Sequence, residues 1–349
     1  NIQNIPNDLR QVAMTQLKAI MEQAGQNAAD PLQQQMQANL QRQMTSLMEE
    51  TDSITIGLAI DAKEQNIAAE FAMTAKDGTD LAKTMALNNN LKSMFGGLVG
   101  QQAAMGLSVV SKMAAEDIEQ LMGSMKGMRE QAMAMIDNAG ELPDQATRDD
   151  MKSAVGMIMD SLEATLKGGT LDISTAINLD DDEFEMVAGG LLTDATKLES
   201  GVKKIVETAK TKFGFDGAKL NVGSFQGVNF HTVSVPLNGA DENVQDIFGD
   251  NLEVTLGIGK DRMYVALGEE GIKAIKKAIE SAGSSKTETS IPMNMSLALA
   301  PILKFAANTS EDPNVQRIAD ALAQTNGKDH VRITKDRKST RLNSSHVAL

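Results

Sequence analysis

Residues 161–192 read SLEATLKGGTLDISTAINLDDDEFEMVAGGLL, and the fold turns on how this stretch divides. Its first six residues close an amphipathic helix expected over Thr147–Leu166, with Met151, Ala154, Val155, Ile158, Leu162 and Leu166 on one face. The periodicity then changes from helical to alternating. Leu171–Leu179 reads as a strand, Asp180-Asp181-Asp182 as a turn and Phe184–Leu192 as the returning strand. A helix over Thr193–Lys212 follows, with Leu198, Val202, Ile205 and Ala209 inward and Lys203, Lys204 and Lys210 outward. The unit is helix, hairpin, helix, strand.

The same unit occurs upstream. Residues 46–61, SLMEETDSITIGLAID, resemble residues 161–180 with four residues inserted in the later copy. Beyond the turns the spacing is identical: Ile67 to Thr79 and Leu81 matches Phe184 to Thr196 and Leu198. A third, shorter copy runs through Leu252–Ile279, turning at Gly259-Lys260-Asp261 and leading to a helix with Ile272, Ile275 and Ile279. The stretch after it, MSLALAPILKFAA at 295–307, echoes MGLSVVSKMAA at 105–115, with strands expected at Met105–Val110 and Met293–Leu299. Between the second and third copies, Leu220–Gly223 and Val228–Pro236 read as a hairpin around Ser224–Gly227. The copies are too far apart and too irregular for a solenoid. The expected fold is α+β: two related domains, each a mainly antiparallel sheet with amphipathic helices packed on one face, plus long helical segments. The expected divisions are 1–50 (helical), 51–166, 167–335 and 336–349.

Composition narrows the chemistry. The chain has 349 residues, 42% of them hydrophobic, which suits a globular protein of about two domains. There is no Cys, so disulfides, Cys-ligated metals and a thiol nucleophile are excluded. His231, His330 and His346 are far apart and form no HExxH pair, so no metal site and no cofactor are expected. There is no Trp and one Tyr, and the net charge is −14. Base-stacking surfaces and polyanion binding are poor fits to that balance, so no nucleic-acid partner is expected. No apolar run reaches the ~20 residues of a transmembrane helix.

Both ends stand apart. Amphipathic helices are expected over Asn7–Gln23 and, from an Asp30-Pro31 start, over Leu32–Met48. The first residue is Asn rather than Met, so a processed or missing beginning is expected. Residues 336–346, DRKSTRLNSSH, resemble a translated sequencing adapter, and 336–349 is read as a non-biological tail. The rival reading is a basic tail for anionic partners.

Several motifs are partial. Ser200-Gly201-Val202-Lys203 matches S-x-x-K, without the S-D-N and K-T-G elements of serine acyl-transfer enzymes. Gly257-x-Gly259 and Gly96-Gly97-x-x-Gly100 lack the rest of a nucleotide loop. Asn178-x-Asp180-x-Asp182 starts like a calcium loop, but Glu183 and Gly189 stand where Gly and Glu are needed. His231 alternates on a strand with no close Ser or Asp. The unusual signal is Met. Of 22 Met, ten fall between Met105 and Met159, and the helix over Ala114–Asn138 is apolar on a wide arc. Met-rich surfaces adapt to varied apolar partners. The candidate ligand or partner face is Met113, Leu121, Met122, Met125, Met128, Met135, Met151, Ile158 and Leu162; the bland alternative is core packing where aromatics are scarce.

Three stretches carry a resemblance: the hairpin IGLAIDAKEQNIAAEF, the helix starts KDGTDLAK and TDATKLES, and the hairpin GIGKDRMYVALGEEG. Over about residues 46–325 this pattern resembles exported proteins of planctomycete-type bacteria that have no assigned activity. The resemblance implies an exported, periplasmic or cell-envelope location and transfers no catalytic residue. The expected function is a non-catalytic binding or structural module of the bacterial cell envelope. Its alternatives are a carrier of a lipid or other apolar ligand in a Met-rich groove, and a hydrolase assembled from scattered Ser, Asp and His231.

Overall fold

The computed structural model describes residues 45, 48–61, 66–88, 91–99, 103–140, 142–180, 183–239, 242–284, 293–308, 317, 330–335 and 341–348. The helices expected over Asn7–Gln23 and most of Leu32–Met48 lie outside these residues, as does nearly all of a further helix expected from an Asp312-Pro313 start to a close at Asn326-Gly327.

The chain runs β1 (Thr51–Asp61), β2 (Asn66–Ala75), α1 (Asp80–Leu87), a 3-10 turn (Gly96–Leu98), β3 (Met105–Lys112), α2 (Ala115–Asn138) and α3 (Gln145–Lys167). It continues β4 (Thr170–Asp180), β5 (Glu183–Leu191), α4 (Ala195–Phe213), β6 (Ala218–Phe225), β7 (Val228–Pro236), α5 (Glu242–Phe248), β8 (Asn251–Ile258) and β9 (Arg262–Leu267). Then come α6 (Gly271–Ser284), β10 (Met293–Ala298), α7 (Leu299–Asn308), β11 (His330–Lys335) and β12 (Arg341–Ala348). The fold is α+β. Its strands pair antiparallel in the order β1-β2-β12-β11-β10-β3-β4-β5-β9-β8-β7-β6.

The stretch that opened the sequence reading folds as read. α3 begins where the Asp144 carboxylate accepts from the Thr147 N–H, and it stops at Gly168 and Gly169, the latter at φ +67°. β4 and β5 then pair from Asp180↔Glu183 to Ile173↔Gly190. The later hairpin is tighter than expected. Only Gln226 and Gly227 separate β6 from β7, at φ +48° and +77°. Two left-handed residues in a two-residue turn match the twist of the strands they join. Past Ala298 the chain turns helical rather than continuing as a strand. Pro301 sits in the first turn of α7, where its missing N–H has no helical partner to lose.

The expected echo between 105–115 and 295–307 becomes a contact. β3 and β10 are neighbours, with Met105↔Leu297, Gly106↔Ser296 and Leu107↔Met295. Aligning the echoes matches Met105 with Met295 and Leu107 with Leu297, so the register exchanges equivalent residues about Gly106 and Ser296, as a local two-fold does. Gly106 permits the approach, since a Cβ there would lie 2.7 Å from Val99 Cγ1 and 2.9 Å from Ser296 Oγ. Strands from either side of the expected division at 166 are therefore hydrogen-bonded partners, β3 with both β4 and β10.

Alternation places successive side chains on opposite faces. On one face Tyr264, Phe230 and Val228 pack with Phe95 and with Ile275 and Ile279 of α6. On the other, Met263 and Ile258 pack with Leu198 and Val202 of α4 and Ile158 and Leu162 of α3. The second repeat thus divides its helices between the faces, where one face had been expected. The reason is β9, which is apolar on both sides. Residues 341–348 of the expected tail pair as β12 between β2 and β11. That pairing is made by backbone groups and does not bear on where the residues come from.

Candidate functional site

Helices α2, α3 and α4 form a layer in which α2 packs on α3 and α3 on α4. Their facing sides are laced by charge. The Arg129 guanidinium of α2 donates to Asp160 at 2.6 Å and reaches Glu163 at 2.9 Å, both on α3. Lys152 pairs with Asp137, Lys204 with Asp150 at 3.0 Å and Lys212 with Asp144 at 3.2 Å. Between α3 and α4 the backbones touch at Gly201, where a Cβ would lie 2.7 Å from the Ala154 carbonyl oxygen.

The nine residues singled out by sequence do not form one surface. Ile158 and Leu162 pack into the core beneath α3. Met125 is buried at 9% exposure, and Met113, Met122 and Met151 are half-buried. Met113 lies in the link from β3, its N–H donating to the Gly169 carbonyl at 2.9 Å. The other three are exposed: Leu121 at 40%, Met128 at 42% and Met135 at 67%. They recur every seventh residue, so they run along one flank of α2 beside its buried edge. The wide apolar arc of the sequence is thus half covered by α3 and half open.

The open flank carries no charge from Gln120 to Met135. Its members are Gln120, Leu121, Ser124, Gly127, Met128, Gln131, Ala134 and Met135. The charged residues of that span, Lys126, Arg129 and Glu130, lie elsewhere on the helix. Arg129 is turned to α3, and Lys126 lies 3.9 Å from Glu130 on the far side. Nothing lies within 4 Å of a Cβ built on Gly123 or Gly127.

His231 was the single candidate for a catalytic base. It is fully buried on the face of β7 that α4 covers. The backbone N–H of Asn221 donates to its Nδ1 at 3.2 Å, and Nε2 lies 3.3 Å from Glu199 Oε1. Glu199 also pairs with Lys203 at 2.7 Å and accepts from Asn229 at 3.3 Å. Burial pushes the imidazole below its ordinary range, opposed by the Glu199 carboxylate. Burial pushes Glu199 up, but Lys203, Asn229 and His231 together hold it below the usual range. The lone pair at Nδ1 is already occupied by the Asn221 N–H. Asn221 itself sits at φ +54° where the β6–β7 register slips between Lys219 and Gly223. His231 binds the N–H that this bulge removes from the ladder. A base needs a lone pair facing a substrate, and this one faces the backbone.

The remaining motifs resolve into packing. The Ser200 hydroxyl donates to the Thr196 carbonyl at 2.9 Å while Lys203 is held by Glu199, so the S-x-x-K pair is not coupled. Gly97 is a close-approach residue, since a Cβ there would lie 2.4 Å from the Ser281 carbonyl oxygen of α6. Asn178 donates to Glu185 at 2.7 Å across the β4–β5 hairpin, whereas Asp181 and Asp182 lie outside the described residues. Among the described residues no group of three metal-ligating side chains comes together, and no helix is long and apolar enough to cross a membrane.

Two further features were missed in the sequence. Asp172 is buried on β4, where it accepts from the Ser93 hydroxyl and the Met94 N–H, both at 2.6 Å. Burial pushes its carboxyl up while these two donors oppose. It anchors the turn that delivers Phe95 to Tyr264, ring centroids 5.6 Å apart. A groove of about 590 Å³ lies between α6 and β7–β8, its lining including Thr232, Thr255, Lys276, Lys277 and Glu280. No local motif marks either, because each joins residues from distant elements.

Compared with family models, with curated proteins and with solved structures, the chain has no match in any of the three.

Proposed function

We propose that the protein is a non-catalytic binding or structural module of the bacterial cell envelope that engages a protein partner through the open flank of α2. One observation carries this reading. Leu121, Met128 and Met135 recur at heptad spacing, 40–67% exposed, on a helix whose other side is bound by ion pairs to α3. Large exposed apolar side chains in line along one helix flank favour an interaction role. The hydrolase alternative loses support because the Nδ1 lone pair of His231 is taken by Asn221. The envelope location rests on the resemblance of residues 46–325 to exported bacterial proteins.

Native mass spectrometry of the full chain, extracted gently from cells, tests the reading against the lipid-carrier alternative. The expected spectrum contains protein mass alone, as monomer or complex. A lipid mass lost on denaturation would overturn it. Fractionation of the source cells with an antibody to the chain tests the location, and a cytoplasmic pool would count against the envelope.

A further inference from the structure

We propose that His231 is an acid-released latch on the edge strand β6. While its Nδ1 accepts the Asn221 N–H it holds the middle of β6 to the sheet, and when Nδ1 takes a proton it lets that segment go. The latch is separate from the α2 flank and does not depend on the binding role proposed for it.

β6 ends the strand order, beside β7. Its two ends are held by ladder pairs, Ala218↔Val233 and Lys219↔Thr232 at one and Gly223↔Phe230, Ser224↔Asn229 and Phe225↔Val228 at the other. Between them Leu220, Asn221 and Val222 stand opposite the single residue His231. A regular ladder cannot close over three residues facing one. The His231 side chain spans the gap instead, from a fully buried position, while Asn221 and Val222 are exposed. Asn221 is held there in a left-handed conformation, at φ +54°.

An imidazole nitrogen accepts only when it carries no proton, so the ring's own N–H is at Nε2, 3.3 Å from Glu199 Oε1. A second proton must go to Nδ1. There it sets N–H against N–H, and the attraction that held Asn221 becomes repulsion. Glu199 stands at the other nitrogen and does not satisfy the new donor. The charged groups acting on the ring are Glu199 and Lys203, both of α4 and 2.7 Å apart. β8 brings Leu256 opposite His231, and Lys219 of β6 is exposed beside Thr232, which points to the other face of the sheet.

Burial pushes the imidazole below its ordinary value of 6.5, with Glu199 opposing and Lys203 adding. The unfolded ring therefore takes its proton first as pH falls. The latch's contribution is complete above 6.5 and is lost as pH falls through the lower folded-state value. The edge position decides where that loss is felt, because opening a terminal strand breaks pairing on one side only and costs less than opening a strand inside the sheet. β7 then becomes the edge, its backbone groups free to pair with another strand.

Hydrogen exchange of the full chain between about pH 8 and 5, expressed as protection factors, tests the latch. Protection over Ala218–Phe225 should fall below about pH 6.5, by up to about tenfold per unit, while protection in β9 stays level. His231→Asn keeps an acceptor near the Nδ1 position and does not titrate, so β6 should stay protected and its pH dependence should vanish. Glu199→Gln removes the carboxylate that favours the charged ring and should move the onset of opening to lower pH. That variant keeps the imidazole, so it decides the matter if His231→Asn fails to fold. Level protection of β6 across the range would overturn the proposal, as would loss of β6 and β9 together at one pH. So would a pH dependence that persists in His231→Asn, or an onset that Glu199→Gln leaves in place or moves upward.

Discussion

Helices α2 and α3 are near twins in sequence terms and opposites in the fold. One has 24 residues and the other 23, and both are rich in Met. Among the described residues α3 lies between two helical neighbours and buries Thr147, Ala154, Met159 and Ser161, whereas α2 packs mainly on one helix and buries Met125. α3 is capped by Asp144; α2 starts at Ala114 without a side-chain cap. The glycine at the α3–α4 contact has no room beside it, and two glycines of α2 have open space. The difference teaches that an apolar arc on a helix states only what can be buried. Whether it is buried depends on how many partners the topology supplies.

Four substitution sets would break or sharpen that contrast. The largest effect is expected at the α3–α4 contact. Gly201→Val forces atoms against the Ala154 carbonyl and Ile158, and overpacking of this kind costs about 3 kcal/mol, read from the urea midpoint. Next, Met125→Ala should cost about 2 kcal/mol, whereas Met135→Ala should stay within about 0.5 kcal/mol. Equal losses would mean that α2 is covered on both sides.

Smaller gains are expected where α2 lacks what α3 has. Ala114→Ser supplies an N-cap and should stabilise by about 1 kcal/mol. Gly127→Ala replaces a poor helix former in open space and should add up to about 1 kcal/mol. Both are read from the urea midpoint. The smallest effect at neutral pH is the acid response of the α3 cap. Thr147, through its hydroxyl and its N–H, and then Lys212 hold the Asp144 carboxyl at about 2, against an ordinary value of 3.8. A depressed folded-state value means a contribution that is complete above the ordinary value and is lost as pH falls through about 2. Asp144→Asn should therefore flatten the acid limb of stability between pH 4 and 2; an unchanged limb would show that the cap does not act through its charge.

Much of the architecture was legible because it is written locally. The change of period after Leu166, the polar turns and the glycine stops place α3, β4, β5, β8 and β9 within a residue or two of expectation. The wide arc of α2 was legible for the same reason. What escaped was α5, and α7 beyond the expected strand. A short helix such as α5 and a strand that turns helical at Ala298 depend on what packs beside them. Asp172 escaped too, since an acidic residue in an alternating strand reads as solvent-facing until the turn at Ser93–Phe95 is seen to close over it.

By itself the sequence determined the class of the fold and ruled out chemistry that needs a thiol from this chain. Periodicity and composition are properties of neighbouring residues, and they survive without the rest of the molecule. Only the tertiary structure decided that α6 and α4 cover opposite faces, that His231 binds a backbone bulge instead of serving as a base, and that one flank of α2 stays open. Each of these depends on which distant element arrives alongside, and sequence periodicity carries no record of that.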